Sequence, residues 1–553
     1  MLACSALFVA AWLIPNHYPP WLTFHSDALA AAAACLMAVA ALPASTSPIT
    51  VPRPAVFFVA LALIPAAQAV AGKIVFAGDA WIVILYLLCA AWTVLWSARL
   101  ASSPHLDGIA TLAAALLAGA LASCFVAMVQ RWDIDVTYLP LQVVTVRPGN
   151  APFGNLGQPN QLASLVALGM AALMLLFERR RVSLGWAMAA AVLLTFTLVM
   201  TQSRTPLLFF IAAILCVGWF RKRIGGRTRP SVIVGLALLW AALYSIWDKA
   251  VEAMGLPVAA HLGDRLKAGP RTSMWAQLSD AVLQQPWTGF GWNQVSEASM
   301  AVATRHAEAR AIEHGHNLLL DLILWNGLPL GILIICLASA WLWSAARRVR
   351  GVDGMFGFMV IIVLLMHAML EFPLDYLYFL VPFSAGIGIV VADSGSPALA
   401  AAPRSLGLFG IAVFASLLGW IVVDYAGVEE KYRDMRFAIA KYGAQPSPEA
   451  LAPIRSQFTQ LSAFHRFMLA LPRPGMTQTE VAWTRDVAYR YPYAPSLYRY
   501  ALVQALNGQS DGAEATFRQL RLLWGPKLYE SAKMEVRNLS QNGYPQLRDL
   551  NLP

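Results

Sequence analysis

Apolar runs of roughly 16 to 22 residues recur along the first three quarters of the chain, and about 20 apolar residues are what a helix needs to cross a bilayer. Thirteen such runs are readable, at 2–15, 27–42, 54–72, 79–98, 108–129, 160–178, 183–201, 205–220, 231–247, 317–346, 355–371, 375–393 and 405–424. Composition agrees. Of 553 residues 58% are hydrophobic and 13% charged, against about 25% charged in a soluble globular protein, and the mean hydropathy is +0.58. The expected fold class is an all-α polytopic membrane protein with about 13 transmembrane helices. The first run is short: either the true start lies upstream or this helix barely spans. It lacks the basic flank of a secretory signal peptide. The run at 317–346 is long, and its "NGLPLG" predicts a break.

Orientation follows from arginine placement. Arg179, Arg180 and Arg181, then Arg221, Lys222, Arg223, Arg227 and Arg229, then Arg347, Arg348 and Arg350 make three dense basic loops. With thirteen alternating spans all three lie on one side, which the rule makes cytoplasmic; Arg53, Arg99 and Arg404 fall there too. The net charge of +10 is therefore topological, and no nucleic-acid partner is expected. The amino terminus is then inside and the carboxyl terminus outside, in the periplasm of a bacterial inner membrane. The six cysteines, Cys4, Cys35, Cys89, Cys124, Cys216 and Cys336, all lie in apolar runs and read as small hydrophobes.

The outer face carries loop 130–159, the turn "TQSRTP" at 201–206, loop 248–316, the turn "EFPLDY" at 371–376 and a tail after about residue 424. The expected domains are a membrane part, 1–424, which includes loop 248–316, and a periplasmic helical domain, 425–553. Within the tail, "APSLYRYALVQALNGQSDGAEATFRQLRLLWG" reads as two helices around a glycine turn, like a tetratricopeptide pair.

Nearly every unusual polar cluster lies on the outer face. Arg204 sits in a tight turn between apolar runs, where it can snorkel or hold an anion with its planar, permanently charged fork. Arg271 opens a helical segment, and a helix start also favours anions; Arg265 is a weaker candidate for the same work. Asn155, Gln158, Asn160 and Gln161 offer uncharged hydrogen-bonding groups suited to sugar hydroxyls, or form a helix-entry turn. Asp133 and Asp135 make a D-x-D pattern, which on the outer face has no nucleotide sugar to bind. His314 and His316 form H-x-H, but residues two apart on a helix diverge and no third ligand is evident. No metal and no cofactor is expected. His316 heads an apolar helix at a fixed depth, suited to proton handling or to charge stabilisation near neutral pH. His367 and Glu371 are four apart and are expected on one helix face, where ionisable groups at a membrane span mark function.

The stretch "HGHNLLLDLILWNGLPLG" (314–331) resembles the H-N-x-x-L…G-x-x-G signature of the O-antigen ligase and polymerase superfamily. "FGNLGQPNQLASL" (153–165) and "HAMLEFPLDYLYFLVPF" (367–383), with "SRT", "RTSMW" and "GFGWN", resemble its branch of bacterial protein O-oligosaccharyltransferases of the pilin-glycosylating type. The resemblance implies a metal-independent glycosyltransferase that moves a glycan en bloc from undecaprenyl diphosphate, within membrane lipid, to Ser or Thr hydroxyls of a periplasmic, pilin-like protein. It assigns Arg204 and Arg271 to the diphosphate. It makes His316 the essential histidine, as activator of the acceptor hydroxyl or stabiliser of charge. Asn155, Gln158, Asn160, Asn317 and Glu371 are the candidates for glycan or acceptor binding. The alternatives are an O-antigen ligase acting on lipid A–core and a transporter of the lipid carrier. The tail, which holds none of the candidate catalytic residues, is expected to handle the acceptor.

Overall fold

A computed structural model describes residues 1–43, 45, 47–137, 142–258, 260–261, 263–264, 271–440 and 451–552. Arg265 lies outside the described residues. The described helices in the membrane part are α1 (Leu2–Leu13), α2 (Phe24–Ala41), α3 (Arg53–Val70), α4 (Ala77–Ala101), α5 (Gly108–Trp132), α6 (Pro159–Glu178), α7 (Leu184–Met200), α8 (Thr205–Ile224), α9 (Pro230–Ala253), α10 (Arg271–Gln284), α11 (Val295–Val302), α12 (Leu318–Arg348), α13 (Val352–Ala368), α14 (Leu377–Ser394) and α15 (Arg404–Ile439). The tail adds α16 (Thr459–Leu469), α17 (Gln478–Arg490), α18 (Ala494–Leu506), α19 (Ser510–Trp524) and α20 (Pro526–Gln541). The described strands, β1 (Ile49–Val51) and β2 (Ala400–Ala402), pair antiparallel.

Each of the thirteen apolar runs is a helix. Among the described residues, nine are long and apolar enough to cross a membrane, and α1, α7 and α13 are shorter apolar helices. The protein is thus an all-α, multi-pass membrane protein. The cysteines are free thiols, five buried as expected and Cys336 exposed.

The chain divides into two compact units. The first comprises Met1–Leu61, Tyr86–Lys267 and Ser339–Val422; the second comprises Ala62–Leu85, Ala268–Ala338 and Val423–Pro553.

In the first unit α6 and α14 are the central helices, 83% and 89% buried over their apolar windows. Both are apolar on every side, as a core helix must be. Small residues let neighbours close in: Gly357 on α13 and Gly386 on α14 meet so tightly that a Cβ on either would lie 2.7–2.8 Å from the other's carbonyl oxygen. Helix packing without a hydrophobic drive depends on such close approach.

The turns of this unit sort to the two ends of α6, which at 20 residues is about 30 Å long. Near its Glu178 end, Arg179 pairs with Asp107 and Asp353. Glu178 accepts from the amides of Arg227 and Thr228, and Asp393 from those of Arg350 and Gly351. The three basic loops therefore share one end, as the arginine count requires.

In the second unit α18 and α19 form the expected helical hairpin. Its core of Leu497, Ala501, Phe517 and Leu520 also takes in Met300 of α11. The last apolar run is continuous with the first helix of the tail, in one 36-residue α15.

Candidate functional site

The segment 313–317 is decided residue by residue in the second unit. Asn317 caps α12: its Oδ1 accepts from the amides of Leu319 and Leu320 at 3.1 and 3.2 Å, the usual duty of asparagine before a helix. His316 takes a left-handed conformation, φ 52°, which turns the chain sharply into that cap. Gly315 is wedged against α12. Its amide donates to Asp321 Oδ1 at 2.9 Å, its carbonyl accepts from Trp275 Nε1 at 2.9 Å, and a Cβ there would fall 2.3 Å from Asp321 Oδ1. Only glycine fits. His314 and His316 are both partly buried. Arg271 is the first residue of α10 and is also partly buried.

The predicted break in 317–346 is at Gly327, φ 75° and ψ 170°. The run "GFGWN" docks onto it. Phe290 N donates to Leu324 O at 2.9 Å, Gly291 N to Trp325 O at 3.1 Å, and Leu328 N to Pro286 O at 2.7 Å. Trp292 stacks on Trp325 with centroids 4.7 Å apart and donates through Nε1 to Asn326 Oδ1 at 2.8 Å. The two stretches are thus joined by backbone and side-chain contacts around the break in α12.

The first unit holds the other candidates, near the Asn160 end of α6. Asn160 Nδ2 donates to Glu371 Oε1 at 3.1 Å. Its Oδ1 accepts from Ser203 Oγ at 2.6 Å and Thr205 Oγ1 at 3.4 Å. One turn on, Ser164 Oγ lies 2.6 Å from His367 Nδ1. Asn160 and Ser164 are therefore two rungs on one face of α6. Asn160 binds Glu371 in the turn before α14 and both neighbours of Arg204, and Ser164 binds His367 at the end of α13. Arg204 itself is the exposed N-cap residue of α8.

Helix α13 ends at Ala368, so His367 and Glu371 do not share a helix face as expected. The Glu371 amide still reaches His367 O at 2.9 Å, but Phe372 precedes Pro373, and a residue before proline resists the α conformation. Asn155 is 1% exposed, and its side chain is held by backbone groups: Oδ1 accepts from Val144 N at 3.0 Å, and Nδ2 donates to Leu13 O and Gln142 O at 2.6 and 2.9 Å. Gln158, the N-cap residue of α6, makes no cap bond and is partly buried.

Comparison with known proteins now bears on this geometry. Residues 188–335, which span the Arg204 turn and the 313–317 segment, match the O-antigen ligase family model. Residues 152–177, which hold Asn155 and Asn160, match the protein glycosylation ligase model. Residues 355–538 match the C-terminal model of virulence factor membrane-bound polymerases. A general O-oligosaccharyltransferase of Acinetobacter baylyi is 28% identical over 432 residues, covering 75% of this chain and 74% of that protein. A ComP-specific O-oligosaccharyltransferase of the same organism is 27% identical over 359 residues, covering 64% of each. The chain is thus similar to the O-antigen ligase superfamily, and within it to the protein-glycosylating branch. It is a glycosyltransferase of the oligosaccharyltransferase class.

Several residues that shape this oligosaccharyltransferase were not singled out in the sequence. Asp27, 3% exposed, accepts from Thr23 Oγ1 and Tyr86 OH at 2.7 and 2.9 Å. Its second oxygen takes the amide of Leu377 at 2.7 Å, so a carboxylate sits at the positive start of α14. Gln130 grips the 153–155 loop, donating to Gly154 O and accepting from the amides of Phe153 and Gly154. In the second unit Gln68 bridges Trp292 N and Trp325 O, and Lys73 Nζ reaches Thr288 Oγ1 and Gly289 O at 2.7 and 2.9 Å. The available signal was a polar or charged residue inside or beside an apolar run, which is functional or structural by default.

Proposed function

We propose that this enzyme transfers a preassembled glycan from an undecaprenyl diphosphate carrier to Ser or Thr hydroxyls of pilin-like proteins, at the periplasmic face of the bacterial inner membrane. The acceptor oxygen attacks the anomeric carbon. The carbon–oxygen bond to the diphosphate breaks, and the hydroxyl proton leaves with a base or with water. His316 activates or orients that hydroxyl. Arg204 and Arg271 stabilise the charge that grows on the departing diphosphate, without a metal; prearranged cations in a dry site are an effective means to that end.

The observation that carries this reading is that Arg204 and Arg271 each stand at the head of a helix, α8 and α10. The helix dipole is positive there, so a cation is disfavoured unless an anion is shared. Asn160 further supports the reading, because its bonds to Ser203 and Thr205 hold the Arg204 turn in shape while Glu371 and Gln158 stay close to the same helix end. Asn155 then contributes by shaping its loop, and Asn317 by capping α12 behind His316. The relatives' names support a protein acceptor over lipid A–core.

The test is reconstitution of the purified protein with lipid-linked glycan and a pilin-like acceptor, with and without EDTA. Transfer is expected in both. Arg204→Ala and Arg271→Ala are each expected to lower kcat by about 10²-fold or more. Transfer that EDTA abolishes and a divalent ion restores overturns the metal-free scheme.

A further inference from the structure

We propose that Leu283 and Trp287, at the corner where α10 meets segment 285–292, form a membrane anchor. With Val70 at the end of α3 they bed in the headgroup layer of the outer leaflet and set the depth of the break in α12. The inference goes beyond the functional reading above and does not depend on it.

The depth of this corner comes from a membrane-crossing helix. α3 begins at Arg53, on the side that arginine placement makes cytoplasmic, and is long and apolar enough to cross. Its exposed residues Val56, Val59, Leu63 and Val70 follow one face at helical spacing, which is the face turned to lipid. After Val70 the helix closes around a glycine. Gly72, φ 72°, donates its amide to Ala69 O at 3.1 Å, and Lys73 donates its own to Gln68 O at 2.9 Å. Lys73 therefore sits at the helix end, at the boundary between hydrocarbon and water.

Lys73 carries that depth to the corner within the second unit. Its Nζ donates to Thr288 Oγ1 at 2.7 Å, Gly289 O at 2.9 Å and Gln285 Oε1 at 3.4 Å. The backbones are as close: a Cβ on Gly291 would lie 3.3 Å from Lys73 O. One turn back along α3, Gln68 accepts from Trp292 N at 2.9 Å and donates to Trp325 O at 3.0 Å. Segment 285–292 thus shares the depth of the end of α3.

What it presents there is apolar. Trp287 is 77% exposed and Leu283 72%. Large exposed apolar side chains grouped at one place mark an interaction surface. Tryptophan and lysine are common anchors where a helix leaves the hydrocarbon. The lipid-facing stripe of α3 ends at Val70, three residues before the lysine that holds this corner, and that continuity makes lipid the occupant. The break in α12 follows, because the backbone of Trp287 packs against Gly327. From Gly327 the helix runs on to Arg348, about 33 Å at 1.5 Å per residue, enough by itself to cross ~30 Å of hydrocarbon. Residues 318–326 are then not needed for the crossing and lie in the outer interface, next to His316.

The experiment uses the full-length protein in phosphatidylcholine–phosphatidylglycerol vesicles. Cys336, exposed where the other five cysteines are buried, is changed to Ala. A fluorescent label is then attached at Gln284→Cys, between the two anchor residues, or at Lys527→Cys in the tail; both positions are exposed. The label at position 284 should be quenched by lipids that carry a nitroxide near the headgroup and little by aqueous iodide. The label at 527 should show the reverse. Adding Leu283→Glu and Trp287→Glu should raise iodide quenching at 284 several-fold and leave 527 unchanged, whereas Leu283→Met with Trp287→Phe should keep the wild-type pattern. Equal iodide quenching at 284 and 527 overturns the proposal. So does a label at 284 shielded from both quenchers, which would mean that a second copy or another protein covers the corner, and so does a Glu variant with unchanged quenching. If the Glu variant does not fold, the lipid and iodide quenching of the label at 284 in the unsubstituted anchor decides alone.

Discussion

Gly289 and Gly327 touch backbone to backbone. A Cβ on Gly289 would lie 2.5 Å from Gly327 N, and one on Gly327 would lie 2.5 Å from the carbonyl carbon of Trp287. Both have positive φ, 63° and 75°. Neither the space nor the conformation admits another residue. Gly327→Ala is therefore expected to cost about 1–2 kcal/mol for the left-handed backbone and about 1–3 kcal/mol more for overlap. A thermal-unfolding series in detergent would show it as a large drop in midpoint, with glycan transfer lost in parallel. A variant as stable and active as wild type would mean that the docked geometry of 286–291 on α12 is not maintained.

Asn160 joins Glu371 to the Arg204 turn. Asn160→Asp would set a second carboxylate against Glu371 at the 3.1 Å now spanned by an N–H donor. Loss of a hydrogen bond to a charged group costs about 1.5–3 kcal/mol, so transfer is expected to fall about 10- to 100-fold. Adding Glu371→Gln restores a donor between the two positions and should recover much of the loss. Steady-state rates of wild type, Asn160→Asp and the double variant check this. A double variant worse than Asn160→Asp alone would show that Glu371 acts independently of Asn160.

His316→Ala is expected to abolish transfer while the protein stays folded in the membrane. His314→Ala should be milder, because the family signature begins at His316. Gly315→Ala should resemble His316→Ala in activity, since its Cβ would collide with Asp321 and turn the neighbouring histidine. Equal activity of the two histidine variants would show that the pair is wrongly divided.

His465 in the tail is wholly buried. Burial holds its imidazole below the ordinary 6.5, and the charge of Lys431 pushes the same way. Between the folded-state value and 6.5 the unfolded chain binds more protons, so stability rises with pH across that window. The contribution is complete above 6.5 and is lost as pH falls toward the folded-state value. Unfolding midpoints of the full-length protein should therefore drop on going from pH 7.5 to pH 5 (values chosen to bracket about 6.5). In His465→Phe that drop should be smaller. An identical pH dependence in wild type and variant would remove His465 as its source.

Much of the architecture was written locally. Every apolar run became a helix because a chain in lipid must satisfy its backbone within the segment itself, and that requirement needs only the run. Gly327 with Pro329 announced the break in α12, since that effect reaches no further than one turn; Asn317, expected to bind glycan or acceptor, is seen to cap α12. The sharing of one end by the three basic loops followed from counting arginines. The joining of the polar residues did not. Asn160 meets Glu371 across 211 residues, Asp27 meets the start of α14 across 350, and Asp79 meets Arg490 across 411. No periodicity records such a pair, because each partner is an ordinary polar residue until packing removes the water around it and brings the other within reach. Local chemistry determined which segments are helices and where they stop; burial in the tertiary structure decided which side chains hold the His316 loop, because an unpaired buried charge is too costly to leave unanswered.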